Sequence, residues 1–415
     1  MPMVGKTIKW YRNDQGMIQE QLAEGICSPT YISQLENDLI PTNKEILQKI
    51  CQRLGINENK VLCEVDLALL KKIKDWLKHI HEFDVTNAKD YYNEIEKKIN
   101  EDTHFDIEYL YELALFGYLL ITDQLKSLDQ LFNKISKYSE LYIESDIYSY
   151  YKFVGIYFKR KGKFIDSLKH LKRAEKIIGE GEDPELCLAL AIVYSNINMI
   201  LISNRYARQA FKKFHDKLYY NRILECQIVL NINYSLARDF DSIDSQLERL
   251  IEMEDDNITE KTRANIIYHI GIVNIMKKNY NQAIKYLLKV RKLNINQADY
   301  LSARYALVHL YLETGETHLL KNEIEEALQI AKEFNQERFI IKFNIFKFSL
   351  ADNREKLVNY LKEVAIPFFE ESGEILELKR DYELMGNTLY DLKRYKSAAE
   401  YYRLLNLKHI KLTNY

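Results

Sequence analysis

YHIGIVNIMKKNYNQAIKYLLKV, residues 268–290, carries the spacing that organises most of this chain. A small residue, Gly271, is followed twelve positions later by Ala283, then by apolar Leu287 and Val290. YKFVGIYFKRKGKFIDSLKHLKRA at 151–174 repeats it with Gly155, Ser167, Leu171 and Ala174, and YELMGNTLYDLKRYKSAAEYYRLL at 382–405 with Gly386, Ala398, Tyr402 and Leu405. Two helices approach closely where side chains are small, so this spacing predicts a helix, a tight turn and a second helix packed back on the first.

Moved along the chain, the template puts its glycine site at Trp76, Phe116, Gly155, Asn198, Asn231, Gly271, Val308, Ile345 and Gly386, nine repeats. The pattern resembles the tetratricopeptide repeat. That resemblance implies an all-α fold, a right-handed α-solenoid of about nine helical pairs whose first helices line a concave face. Lining positions then fall six and three residues before the glycine site and one and four after it, and the middle of that face is rich in Ile, Met, Phe and Tyr. So much apolar surface calls for an occupant, and a short extended peptide fits. The residues expected to hold it are Lys152, Ser195, Asn198, Asn231, Asn265, Tyr268, Tyr305 and His309. Asn198 and Asn231 stand at the glycine site itself, where helix packing claims them as readily as a ligand.

Ahead of the repeats, QEQLAEGICSPTYISQLE at 19–36 reads as a helix-turn-helix, with Leu22, Ala23 and Ile26 facing inward from its first helix and Ile32 and Leu35 from its second. Ser28 is placed to cap the second helix and Pro29 to open it. Thr30, Tyr31, Ser33, Gln34 and Asn37 point outward, short or planar polar groups suited to base edges and phosphates. A first helix over 3–15 presents Val4, Ile8 and Tyr11; a fourth, opened by Thr42 and Glu45 at capping-box spacing, presents Ile46, Leu47, Ile50 and Leu54 before Gly55 ends it. The stretch resembles the phage-repressor or Xre class in Gln19, the pair Leu22 and Ala23, the run Ile32 to Glu36, Pro41 and the closing Leu-Gly-Ile. The resemblance implies that Gln19 grips a phosphate while Ser28, Thr30, Tyr31 and Gln34 read bases. Residues 1–65 are accordingly assigned to DNA binding and 66–415 to peptide binding and dimerisation.

Composition narrows the rest. Residues 1–65 carry seven Lys and Arg against eight Asp and Glu, so a single copy has little electrostatic hold on a polyanion. Two copies on a palindromic double-stranded operator correct this, which implies a homodimer or a tetramer. The five cysteines are scattered and never in C-x-x-C spacing, as in a reducing cytoplasm. No apolar run approaches the ~20 residues of a membrane span, and no signal peptide is recognisable. The nine histidines make no H-E-x-x-H, phosphate-binding glycine loops are absent, and no nucleophile has a recognisable base, so neither metal, cofactor nor enzyme is expected. Lys159 to Lys163, KRKGK, and the acidic run Glu252 to Asp256 read as solvated turns between repeats.

A repressor-type domain followed by about nine tetratricopeptide-like repeats resembles the RRNPP family of peptide-sensing regulators, and the repeat number is most similar to its NprR and phage arbitrium-receptor branches. The resemblance covers essentially the whole chain. It implies a cytoplasmic transcription regulator of the quorum-sensing or arbitrium type, controlled by an imported peptide. The alternative is a protein-binding regulator that captures a response-regulator protein through its repeats.

Overall fold

The structure is a computed structural model that describes residues 4–41, 43–122, 124, 128–139, 141–142, 144–243, 258–293, 297–351 and 353–411. The chain packs as two compact units, Met1–Phe153 and Val154–Tyr415. Among the described residues all regular structure is helical.

The first unit opens with α1 (Val4–Asp14), α2 (Gln19–Ala23), α3 (Pro29–Glu36) and α4 (Lys44–Leu54), closed by the short α5 (Asn59–Leu62). Ile8, Leu22, Ala23, Ile32, Leu35, Leu47, Ile50 and Leu54 form one core, as the periodicity predicts, with Ile26 and Ile46 half-buried at its margin. Ser28 Oγ accepts the Tyr31 N–H at 3.1 Å, so α3 is capped where expected. The start of α4 differs from expectation: Asn43 is the cap, its Oδ1 accepting from the amides of Glu45 and Ile46, and Thr42 lies outside the described residues. An amide oxygen one residue nearer the helix serves the same orphan donors. Gly5 is required by close approach, since a Cβ there would lie 2.6 Å from Asp38 Oδ1 and against the Leu35 carbonyl.

Three further helices follow, α6 (Leu67–His81), α7 (Val85–Ile95) and α8 (Phe105–Ile121), then α9 (Leu128–Lys137) and the start of α10 (Glu144–Arg160). The helix-turn-helix bundle is seated on them. The Trp10 indole N–H donates to the Lys137 carbonyl at 2.8 Å, and its ring lies 5.4 Å from Phe105 and 4.8 Å from Tyr138. Lys137 also pairs with Asp14, and Lys60 with Glu108, both at 2.6 Å.

The second unit is built of helical pairs. They comprise α11 (Phe164–Ile178), α12 (Pro184–Asn196), α13 (Ile200–Asp216), α14 (Tyr220–Leu236), α15 (Glu260–Met276), α16 (Tyr280–Val290), α17 (Gln297–Thr314), α18 (Thr317–Glu333), α19 (Glu337–Leu350), α20 (Arg354–Tyr360), α21 (Ile366–Ser372), α22 (Ile375–Asp391) and α23 (Tyr395–Lys411). A π-helical turn, Leu361–Ala365, joins α20 to α21 and absorbs Pro367, which has no N–H for an ordinary helical bond. The small sites do what their spacing predicts: a Cβ on Gly155 would fall 2.6 Å from Leu171, and one on Gly386 2.5 Å from Tyr402.

One recurring turn fixes the register of the repeats. Seven residues after the glycine site stands a residue in the left-handed region: Phe83, Gly162, Arg238, Lys278, Gly315 and Lys393. The next amide then closes the turn on a carbonyl five residues back, Lys163 on Phe158, Asn279 on Asn274, Arg394 on Leu389, a Schellman-type ending. The turn residues for Phe116 and Ile345 lie outside the described residues, and by this measure one of the other seven expected positions is wrong. Asn198 has φ +61° and Met199 N–H bonds the Tyr194 carbonyl, so Asn198 is the turn residue and the glycine site is Ala191. Ser203 Oγ donates to the Ala191 carbonyl at 2.7 Å, as Ser167 does to Gly155. Asn tolerates left-handed backbone better than most residues, which is why it serves in the turn. The run Glu252 to Asp256 and the terminal residues 412–415 lie outside the described residues.

Candidate functional site

On α3 the residues expected to meet DNA divide by what already engages them. Gln19 Nε2 donates to Glu36 Oε2 at 2.8 Å, and Glu36 is gripped by Arg12 at 2.5 and 2.9 Å. That buried pair locks α1, α2 and α3 together and presents Gln19 at the start of α2. Ser28 is occupied as the cap, Tyr31 Oη accepts the Asn43 N–H at 3.3 Å, and Asn37 Nδ2 donates back to the Ser33 carbonyl at 2.7 Å. Ser33 is half-buried. Thr30 and Gln34 are exposed, and one helical turn separates them on the outer face.

The second unit contains a cleft of about 350 Å³ walled by the first helices of consecutive pairs. Ile192, Ser195 and Asn196 of α12 begin it, then Val229, Ile232 and Leu236 of α14, and Tyr268, His269, Ile272, Ile275 and Met276 of α15. Ser302, Tyr305, Ala306 and His309 of α17 follow, with Arg338, Phe339 and Lys342 of α19, and Leu376, Glu377 and Arg380 of α22. Ile192, Ser195, Ile232, Tyr268, Ile272, Ile275, Ser302, Tyr305, His309, Phe339, Lys342 and Arg380 of this wall fall on the template's lining positions, and the others fall off them.

Of the residues expected to hold a peptide, Ser195, Tyr268, Tyr305 and His309 are brought together here. Ser195 is turned toward a buried network, its Oγ donating to Asn233 Oδ1 at 2.8 Å. Asn198 sits in the turn after α12, and Asn231 is 2% exposed at its glycine site, neither lining the cleft. Asn265 stands half-buried one turn before Tyr268 on α15, also off the wall. Lys152 belongs to the first unit, where it is fully buried and its Nζ donates to the His81 carbonyl at 3.0 Å.

The end of the cleft formed by α17, α19 and α22 is charged. Lys342 Nζ, 3% exposed, lies 2.9 Å from Glu374 and 3.3 Å from Glu377, with the Tyr305 ring 5.0 Å away. Arg338 pairs with Glu374 at 2.7 Å and Arg380 with Glu377 at 3.0 Å. Burial opposes the Glu377 charge, but Lys342 and Arg380 outweigh it and hold the carboxyl well below the usual range. Burial, then Arg380, pushes the His309 imidazole down to about 4, and burial alone does the same to His269. His309 is clasped between Tyr305 and Phe346, with ring centroids at 4.7 and 4.8 Å.

Arg338, Glu377 and His269 were not among the expected site residues: His269 falls between the steps of the lining template, and Arg338 and Glu377 lie before its first position in their repeats. The one-turn spacing of Arg338 with Lys342 and of Glu377 with Arg380 was the available signal. The reading of Lys159 to Lys163 as a solvated turn is corrected at its first two residues. Lys159 and Arg160 end α10 half-buried, and burial pushes the Lys159 ammonium down to about 8.

With this geometry in view, the comparisons with known proteins are consistent. The helix-turn-helix family HTH_3 matches residues 8–61. The transcriptional activator NprA of Geobacillus stearothermophilus is 24% identical over 404 residues, 92% of this chain and 97% of that protein. Response regulator aspartate phosphatase E of Bacillus subtilis (strain 168) is 27% identical over 348 residues, 77% of this chain and 89% of that one. The crystal structure of NprR in complex with its cognate peptide NprX superposes with a TM-score of 0.68 at 20% identity, covering 85% of this chain and all of that one. Fold and site thus define a class, an N-terminal helix-turn-helix followed in sequence by tetratricopeptide-like helical pairs. In this order of parts, and in its likeness over most of its length to NprA and NprR, the chain is similar to the RRNPP family.

Proposed function

We propose that this protein is a DNA-binding transcription regulator whose helix-turn-helix, within residues 1–65, is governed by a short peptide held in the cleft of its repeat region, within 66–415. The observation that carries this reading is the coexistence in one chain of an exposed Thr30–Gln34 face on α3 and a cleft with one apolar and one charged end. The cleft has the size and mixed lining that small ligands use. Similarity to an activator over nearly the full length, and to the fold of a peptide-bound regulator, supports the reading. Two copies on a palindromic operator supply the phosphate contacts that the near-neutral domain lacks alone. The peptide acts by its differential affinity for the DNA-competent and incompetent arrangements.

A second reading has its own support. Similarity over 348 residues to response regulator aspartate phosphatase E favours capture of a response-regulator protein by the repeats. Selection of genomic fragments by the full chain, with and without pooled short peptides, separates the two. Enrichment of a defined sequence that changes with peptide supports the first; no enrichment in either condition removes it.

A further inference from the structure

The charged end of the cleft is unbalanced. Arg338, Lys342 and Arg380 line it, and the carboxylates paired with them are Glu374 and Glu377. A third acid beside them, Asp381, is 4% exposed, and its Oδ2 has no hydrogen-bond partner among the described residues. Burial, then Glu377, pushes its carboxyl up to about 8, so it keeps its proton at neutral pH, while His309 stays uncharged. Among the described groups that line the cleft or pair with its cations, three cations face two charged carboxylates, an excess of one positive charge in a partly dehydrated cleft. Asp299 on α17 is a further acid, whose field reaches Tyr268 of the wall. A net charge in such a place attracts a counter-charge more strongly than it would on an open surface.

The three cations are not equally reachable. Lys342 is enclosed by both carboxylates and the Tyr305 ring. The Arg380 side chain is 55% exposed and that of Arg338 27%, and each borders the cleft with further N–H donors on its guanidinium. A planar guanidinium matches a carboxylate with two parallel hydrogen bonds. Farther along, the wall is apolar, through Ile192, Val229, Ile232 and Ile272.

We propose that Arg380, assisted by Arg338, is a carboxylate-recognition point, and that the ligand is a short peptide carrying an acidic group at this end and apolar residues along the rest. The inference rests on the peptide reading above and adds the chemistry of the ligand. The acidic group comes either from the peptide's C-terminus or from an Asp or Glu side chain, and a cationic residue at this end is rejected.

The test uses the full chain and three pools of N-acetylated random hexapeptides, with binding read by native mass spectrometry and thermal shift. One pool has a free C-terminal carboxylate and no Asp or Glu; the second is C-terminally amidated with one Asp; the third is amidated with no acid. At least one acid-bearing pool binds roughly tenfold or more tightly than the acid-free pool, as a charge-assisted contact supplies, and which one does so identifies the source. In Arg380→Gln the preference falls below about threefold while the free protein melts as before, and Arg380→Lys restores part of it. Equal binding of the acid-free pool overturns the carboxylate assignment and leaves the peptide reading standing. An undiminished preference in Arg380→Gln also overturns it. Binding of no pool removes the peptide reading and this inference with it.

Discussion

Tyr305 donates its hydroxyl to Glu377 Oε2 at 2.6 Å, tying α17 to α22 across 72 positions of sequence. The two residues stand on first helices two repeats apart and both border the cleft, so this bond helps to set its charged end. Glu377 keeps Lys342 and Arg380 when the phenol is lost, which makes the bond testable without stranding the acid. Tyr305→Phe should cost about 1.5–3 kcal/mol, the usual worth of a hydrogen bond to a charged group. The loss is read as a lower urea midpoint for the full chain; an unchanged midpoint would mean the bond contributes nothing net.

In the helix-turn-helix, Glu36 is 3% exposed and depends on Arg12 for its counter-charge. Removing one partner of a buried pair leaves an uncompensated ion, so Arg12→Met should destabilise by about 3–5 kcal/mol. Arg12→Met combined with Glu36→Leu should recover most of that loss. Circular-dichroism melts of the two variants decide it, and equal melting temperatures would show that charge compensation is not what matters there.

Asp381 gives a pH signature. Its folded-state pKa is raised to about 8, above the ordinary carboxylate value of 3.8, so its contribution to stability is fully present below pH 3.8 and is lost as pH rises through 8. His309 and His269 act in the opposite sense, their depressed values near 4 removing stability as pH falls from 6.5. A whole-protein curve therefore mixes the two. Asp381→Asn isolates the acid: its melting temperature should gain on wild type steadily between pH 5 and 8 and level off above. A constant difference across that range would place the Asp381 carboxyl in water.

Much of this architecture was legible in the sequence. The twelve-residue spacing placed six of the seven repeats whose turn residue is described, most directly at Gly155, Gly271 and Gly386, where close helix packing tolerates little else. The slip at Asn198 came from anchoring on an asparagine when Ala191 with Ser203 already had the twelve-residue spacing. The lining template then found Tyr268, Tyr305 and His309, since positions on one helix face recur at fixed intervals. It could not tell that Lys152 would be enclosed, nor that Asn265 would miss the wall, because burial depends on neighbours far along the chain, as His81 is from Lys152, or on how far each helix projects. Asn231, at a glycine site, went to helix packing, one of the two fates expected for it. Arg338 and Glu377 stand one turn from Lys342 and Arg380, a signal the sequence holds, but their pairing with Glu374 and Lys342 joins separate helices and no local pattern shows it.

The central claim is that a peptide in the cleft changes how α3 engages DNA. Fluorescence anisotropy of a selected genomic fragment, titrated with the full chain in the absence and presence of saturating peptide, measures it directly. Coupling of about 1–3 kcal/mol predicts that peptide shifts the DNA Kd by roughly 5- to 150-fold. Thr30→Ala with Gln34→Ala should abolish specific DNA binding and leave the melting temperature and peptide affinity unchanged. A DNA Kd that stays the same within twofold at saturating peptide would contradict the account.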